Sequence, residues 1–401
     1  MLPVEMALRN LRVRLLQTGL TVLVIALGVA VALSVLLIAQ GVKEGIKRAS
    51  APFDMIIGAK GSATQLVMNT IFLQDIPVGN IPHDLYLFMK TDPRVQSAIP
   101  IGLGDNYQGF RVVGTTPAYF EMREKPTAPP YFALDQGRLF TAEFEVVLGA
   151  GAARQLGLEL GDQFRAGHGV VAAVEEAEED HDAHHARPYE VVGILAPTAG
   201  PLDLGIYTSI ETVWEAHGVL EGDVTAIIVR PQGLGGLMRI YQEVNSSREA
   251  QAVMPGQILG QLFSLMGQGQ QAFGALSYVV LLMAAITVML SLYGTMAERR
   301  REVAILRSLG ARRRTVISVV LWEVFFMGLT GVLLGAGLGH LSALGVGLAV
   351  QAQTGVASFP GFYLAEVSAL VTVLALSMLS GLLPARAVYR VEVARNLAPS
   401  A

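Results

Sequence analysis

Apolar residues fall in blocks along this chain. Thr18–Ala39 carries no charged side chain, and Phe273–Ala297, Thr315 to about Gln351 and Val367–Leu383 form three more such blocks. A helix rises 1.5 Å per residue, so about 20 such residues cross roughly 30 Å of hydrocarbon. The first block exceeds the roughly 7–15-residue apolar core of a secretory signal peptide and reads as a retained span. The third is too long for one perpendicular helix, so a span to about His340 is expected, then a break or an interfacial turn. Gly331, Gly335 and Gly339 recur every four residues within it, a spacing that lets two helices approach closely.

Between the first two blocks the pattern changes. Short β-branched runs bounded by Gly, Asp or Pro predict strands. They lie in FDMIIGAKG, Gly109–Thr116, Glu145–Phe164, Tyr189–Leu195 and Val224–Arg230. Ala150–Leu156 and Gly236–Asn245 read as helices, the second with Leu237, Ile240, Tyr241 and Val244 at helical spacing. Strands and helices mix without strict alternation, which favours an α+β domain. Its length of about 230 residues suffices for a core of its own, with room for two subdomains.

Composition supports this division. Hydrophobic residues make up 52% of the chain and charged ones 15%, against roughly 25% charged in a typical soluble domain. Charge is also unevenly placed. The N-terminal leader, Met296–Arg314 and the C-terminal tail together hold 13 basic and 4 acidic residues, while 41–270 holds 16 basic and 27 acidic. Basic flanks stay in the cytoplasm. The expected fold is therefore an α-helical membrane protein with four transmembrane helices. An α+β extracytoplasmic domain is inserted between the first and second.

The expected boundaries are a cytoplasmic leader at 1–17, spans at 18–40, 271–297, 315–340 and 365–385, and a cytoplasmic tail at 386–401. The extracytoplasmic domain covers 41–270, a cytoplasmic helix and loop cover 298–314, and a short extracytoplasmic turn covers 341–364. With no cysteine, that domain is held by packing alone.

Chemistry is sparse. The chain has no G-x-x-x-x-G-K-[ST] phosphate cradle, no H-E-x-x-H, no G-x-S-x-G and no kinase signature, so no catalytic residue is assigned. The densest charge is in MAERRREVAILRSLGARRR. At about 100° per residue, Arg300, Arg301 and Arg307 share one side of a helix. Val303, Ile305, Leu306 and Leu309 share the other, and Gly310 is a natural stop. Such a helix lies flat on the inner membrane surface. Glu302 stands in its apolar stripe, which leaves two readings open: an intrahelical pair with Arg299, or docking into a protein groove.

Glu302–Ala311, EVAILRSLGA, resembles the E-x-[AG]-[IV]-L-[RK]-[AS]-[LI]-G-[AM] motif of FtsX/MacB-type ABC transporter permeases. The leader MALRNLRVRLLQTGLTVL, the large outside domain and the three following spans resemble that family's architecture. LLPARAVYRVEVARNL resembles its terminal P-A-x-x-A segment, departing at Val391–Glu392 from a usual D-P-V-E-A-L run. FDMIIGAKGS and DIPVGNIP resemble a subset of these permeases with histidine-rich outside loops.

The resemblance implies a permease, as homodimer or heterodimer, in the bacterial inner membrane with both termini cytoplasmic. It implies a separate MacB- or LolD-like ATPase that holds the ATP and Mg²⁺. ATP-driven closure of the ATPase pair would move the outside domain, without passage of substrate through a channel. It makes 297–311 the coupling helix, with Glu298, Arg299, Arg300, Arg301, Glu302, Ile305, Leu306, Arg307, Leu309 and Gly310 facing the ATPase or anionic membrane lipids. An extracytoplasmic lipoprotein or adaptor is a further possible partner, and no nucleic acid is expected.

The outside domain also carries GHGVVAAVEEAEEDHDAHHARP (167–188). His168, His181, His184 and His185, with neighbouring carboxylates, suit Zn²⁺. A solvated loop between two strands fits the same composition. Elsewhere, Glu323 reads either as an ion pair with Arg312 or Arg313 or as a functional intramembrane acid, and Glu366 as interfacial. His83, His217 and His340 read as isolated structural histidines.

Three functions fit: a permease moving lipoprotein, lipid or peptide material, an FtsX-like signalling subunit gating an extracellular partner such as a cell-wall hydrolase, and a zinc-responsive or metal-export component. The size of the outside domain favours the first over the second.

Overall fold

The structure, a computed structural model, describes residues 3–169, 187–219, 221–264, 312–357 and 361–387, with seven isolated positions between 275 and 290. The chain starts with α1 (Pro3–Val13) and α2 (Leu15–Ser50). There follow β1 (Met55–Ala59), α3 (Ala63–Phe72), α4 (His83–Thr91), β2 (Val95–Tyr107), β3 (Phe110–Thr115), β4 (Leu134–Gly137) and β5 (Glu145–Leu148). Next come α5 (Ala150–Leu156), β6 (Gln163–Phe164), β7 (Gly167–His168), β8 (Tyr189–Leu195), β9 (Ile206–Ser209) and α6 (Ile210–Ala216). Last are β10 (Ala226–Pro231), α7 (Gly233–Ser246), β11 (Ala250–Val253), α8 (Arg313–Thr354) and α9 (Leu364–Ala387).

The chain divides into two compact units, one of 1–41, 266–348 and 359–401, the other of 42–265 and 349–358. Among the described residues three helices, each with most of its length in the first unit, are long and apolar enough to cross a membrane: Leu15–Ser50, Arg314–Thr354 and Leu364–Leu382. Ile25, Val29, Leu33 and Leu37 of α2 bury one stripe against Val324, Met327, Val332 and Ala343 of α8 and Val373 of α9. The stripe's spacing of four residues is one face of a helix. The expected second span at 271–297 lies almost wholly outside the described residues.

One boundary is corrected. No break occurs at His340, and the expected turn at 341–364 is helical as far as Thr354. Residues 341–354 contain no proline, and Gly345 and Gly347 only weaken a helix rather than stop it. The stop comes at Gly355, with φ +71°, the left-handed conformation that glycine adopts without a Cβ penalty. At 36 and 42 residues, α2 and α8 extend about 54 and 63 Å, well beyond the hydrocarbon thickness. Their surplus turns belong to the second unit.

The second unit is α+β, around a mixed sheet ordered β11-β1-β10-β2-β3-β9-β5-β8-β4, with β6 on β8 and β7 on β2. Most pairs are antiparallel, while β3–β9 and β5–β8 are parallel. The 13-residue β2 joins two halves: Val95–Ile101 pairs with β10, and Gly102–Tyr107 with β3. One face of the β1–β10–β2 half packs on α3 and an aromatic group of Tyr119, Phe120, Phe132 and Tyr207. The other face packs on α4 and α7. Arg230 at the end of β10 donates to Asp54 at 2.9 Å and to the carbonyls of Pro52 and Arg123, tying the sheet to the exit of α2.

Candidate functional site

Two arrangements join distant parts of the sequence, one in each unit. The first is the seam between α2 and α8. A Cβ on Gly331 would lie 2.7 Å from the Cβ of Ile25, and one on Gly335 would lie 2.6 Å from the Ala26 carbonyl and the Val29 Cβ. On Gly339 it would lie 3.0 Å from the Leu33 Cβ, whereas at Gly337 and Gly345 nothing lies within 4 Å. Glycine thus stands at three successive points where a side chain would push the helices apart. Ser34 extends the contact, donating to Ala30 O at 2.6 Å and meeting the Ser342 hydroxyl.

Polar side chains punctuate this unit. Asn10 of α1 donates from Nδ2 to Oε1 of Glu323 at 2.6 Å, and Glu323 is buried, 3% exposed. The sequence offered Arg312 or Arg313 as its partner and gave no sign of Asn10, which lies 313 residues away. One expectation is corrected. His340 is not isolated: its Nε2 lies 3.5 Å from the carboxylate of Glu366, itself buried among the helices, because helix pairing brings the start of α9 beside α8. In the second unit, His217 lies 3.7 Å from the buried Asp105, and His83 packs on Tyr86 and Trp214, so these histidines are not isolated either.

The second arrangement is a junction within the extracytoplasmic unit, where the end of α2 and the segment 349–358 share one core. Ala49, Phe53 and Val356 belong to the same buried cluster as Ile56, Ile228 and Tyr207. Ala357 N donates to Ala199 O at 3.1 Å, and Gln155 Nε2 to Ala352 O at 3.3 Å. A Cβ on Gly45 would meet Val356 and the Ala357 carbonyl at 2.6 and 2.7 Å. One on Gly355 would meet Pro201 Cα at 2.6 Å.

Asp203 sets the receiving loop. Its carboxylate accepts from Thr198 N at 2.8 Å, Thr198 Oγ1 at 2.6 Å and Ala199 N at 3.0 Å. Burial pushes its carboxyl above the usual range, and these hydrogen bonds oppose the shift. On the same sheet, Glu145 is held down to about 2 by the Arg138 guanidinium, aided by the Thr141 and Ala142 amides.

The coupling residues Glu298, Arg299, Arg300, Arg301, Glu302, Ile305, Leu306, Arg307, Leu309 and Gly310 lie outside the described residues. So do His181, His184 and His185. The backbone of His168 is placed, paired with Asp105 in β7. Among the described residues no group of three or more His, Cys, Asp or Glu could hold a metal ion.

Comparison with known proteins adds the family. The model for a MacB-like periplasmic core domain matches residues 18–253, and that for an FtsX-like permease C-terminal region matches 274–393. No curated protein matches the chain. The periplasmic region of MacB from Actinobacillus actinomycetemcomitans is similar at 15% identity and a TM-score of 0.36, covering 53% of this chain and 94% of that one. The extracellular domain of the noncanonic ABC-type transporter YknZ from Gram-positive bacteria is similar at 13% identity and 0.32, covering 50% and 98%. With one family model over more than half its length and a second over most of the remainder, the chain belongs to the FtsX/MacB-type ABC transporter permeases, whose transporters work with an ATPase partner.

Proposed function

We propose that this permease converts ATP hydrolysis by a separate ATPase into movement of its extracytoplasmic unit, acting on lipoprotein, lipid, peptide or similar material at the outer face of a bacterial inner membrane. The observation that carries the reading is the shared core of Ala49, Phe53 and Val356. Two helices with membrane-length apolar stretches, α2 and α8, both end in that core, so a displacement of either is passed to the sheet by packed side chains. Protein interiors are dense and stiff enough to transmit it.

On this reading the chain has four spans, with both termini and 298–314 in the cytoplasm, and works as a homodimer or heterodimer. It is not itself an enzyme. Nucleotide and Mg²⁺ sit in the partner, and Glu302 with the apolar stripe of 298–310 enters the ATPase groove. Glu302→Lys is expected to abolish permease-stimulated ATPase activity while leaving membrane insertion intact. Unchanged stimulation would exclude this docking.

An FtsX-like signalling role uses the same machinery without a cargo, and the size of the outside unit favours transport. Zinc capture by His181, His184 and His185, as in a histidine-rich subset of the family, is a separate proposal. Zinc titration of the full protein with and without those three histidines tests it.

A further inference from the structure

The leader helix α1 has two unlike faces. On one, Ala7 is fully buried and Asn10 bonds Glu323. On the other, Arg12, Glu5 and Arg9 form an exposed strip, bracketed by Leu8 on one edge and Val13 on the other. At 100° per residue, Leu8 and Val13 stand about 140° apart with the charged residues between them. Val13 is 76% exposed and Leu16, just beyond it, 81%.

Arg14 alone separates α1 from α2. Leu16, Leu20, Leu23, Leu27 and Val31 continue an exposed apolar stripe along α2, on the side away from its buried contacts with α8 and α9. In a membrane-spanning helix that stripe meets lipid. The chain connection therefore holds Arg9 and Arg12 at the level where the hydrocarbon gives way to headgroups. A solvated charged face would explain the arginines alone. It does not explain apolar side chains on both flanks of them, which is the pattern of a helix lying in the interface.

We propose that Arg9 and Arg12 form a headgroup site for an anionic phospholipid, with Leu8 and Val13 entering the edge of the acyl region. Phosphate oxygens accept from the two guanidinium groups, a geometry that arginine matches well. The Asn10–Glu323 bond fastens this site to α8, so lipid occupancy acts on the helix that enters the outside unit. The site requires that α2 spans the membrane and is independent of which side the termini face.

Hydrogen exchange on the full protein in nanodiscs of phosphatidylglycerol or of phosphatidylcholine tests this. Amides of 4–13 are expected to exchange about fivefold or more slowly in phosphatidylglycerol, from a contribution of roughly 1 kcal/mol, or fivefold, per basic residue at an anionic surface. The difference should vanish in R9Q/R12Q, persist in R9K/R12K and shrink in high salt. Equal exchange in the two lipids, or an undiminished difference in R9Q/R12Q, would overturn the proposal. The same data check the span separately, because amides of 20–37 must be protected in both lipids if α2 crosses the bilayer.

Discussion

Asn10 and Glu323 meet at 2.6 Å across 313 residues of chain, and the carboxylate is 3% exposed. A buried carboxylate is costly unless hydrogen-bonded. Asn10→Leu removes one of its donors and is expected to destabilise the protein by about 1–3 kcal/mol. Glu323→Gln keeps an acceptor at Oε1 and should cost less. Thermal unfolding of both variants in detergent checks the order, and a cost for N10L no greater than for E323Q would contradict it.

The glycine seam predicts a position-specific effect. Gly335→Val places a side chain where a Cβ alone would lie 2.6 Å from Ala26 O and Val29 Cβ. Overpacking of this kind costs about 1–3 kcal/mol, and here it also separates α2 from α8. Gly337→Val, where a Cβ meets nothing within 4 Å, should be well tolerated. Comparing yield and melting temperature of the two variants tests whether the seam, rather than glycine content, holds the helices.

The junction predicts a different sensitivity. Gly355 has φ +71°, and its Cβ position is occupied by Pro201 and the Gly200 carbonyl. Gly355→Val should loosen the contact of 349–358 with the loop held by Asp203, at a cost of about 1–3 kcal/mol for strain alone. Faster hydrogen exchange across residues 196–205, with the amides of β10 unaffected, is the expected signature.

Acid stability has a definite sign. The carboxyl of Glu145 is lowered from an ordinary value of 4.5 to about 2, chiefly by Arg138. A depressed carboxyl stabilises the folded state above its unfolded value and loses that contribution as pH falls toward the folded one. Wild type should therefore lose stability between about pH 4.5 and 2 more steeply than Glu145→Gln. Tryptophan fluorescence of Trp214 during acid titration reads the difference.

Much of the fold was legible because local and tertiary preferences agree. Ala150–Leu156 and the Leu237, Ile240, Tyr241, Val244 stripe are helical as expected, and Ile240 and Val244 are buried. The longest strand was missed. GLGDNY in β2 is rich in Gly, Asp and Asn, residues that strands disfavour, yet Gly102 and Gly104 are strand residues whose missing side chains admit Ile210 of α6 and His217 just after it. The bulge between Leu103 and Asp105 also breaks the alternation a strand is recognised by. His340 and Asn10 were misjudged or unseen for one reason: their partners are set by helix pairing, which no local window contains. The four-residue glycine spacing was visible because its cause is periodic.

In the proposed function, ATP binding in the partner moves the outside unit through α2 and α8. The chain has no cysteine, so a single label at Leu234→Cys, on the exposed start of α7, reports cleanly. In the proposed homodimeric assembly with its ATPase, spin-label distances between the two copies, measured with and without a non-hydrolysable ATP analogue, are predicted to shift in the otherwise wild-type protein and to stay fixed when Glu302→Lys is added. Identical distance distributions in the two nucleotide states of the otherwise wild-type transporter would contradict the account.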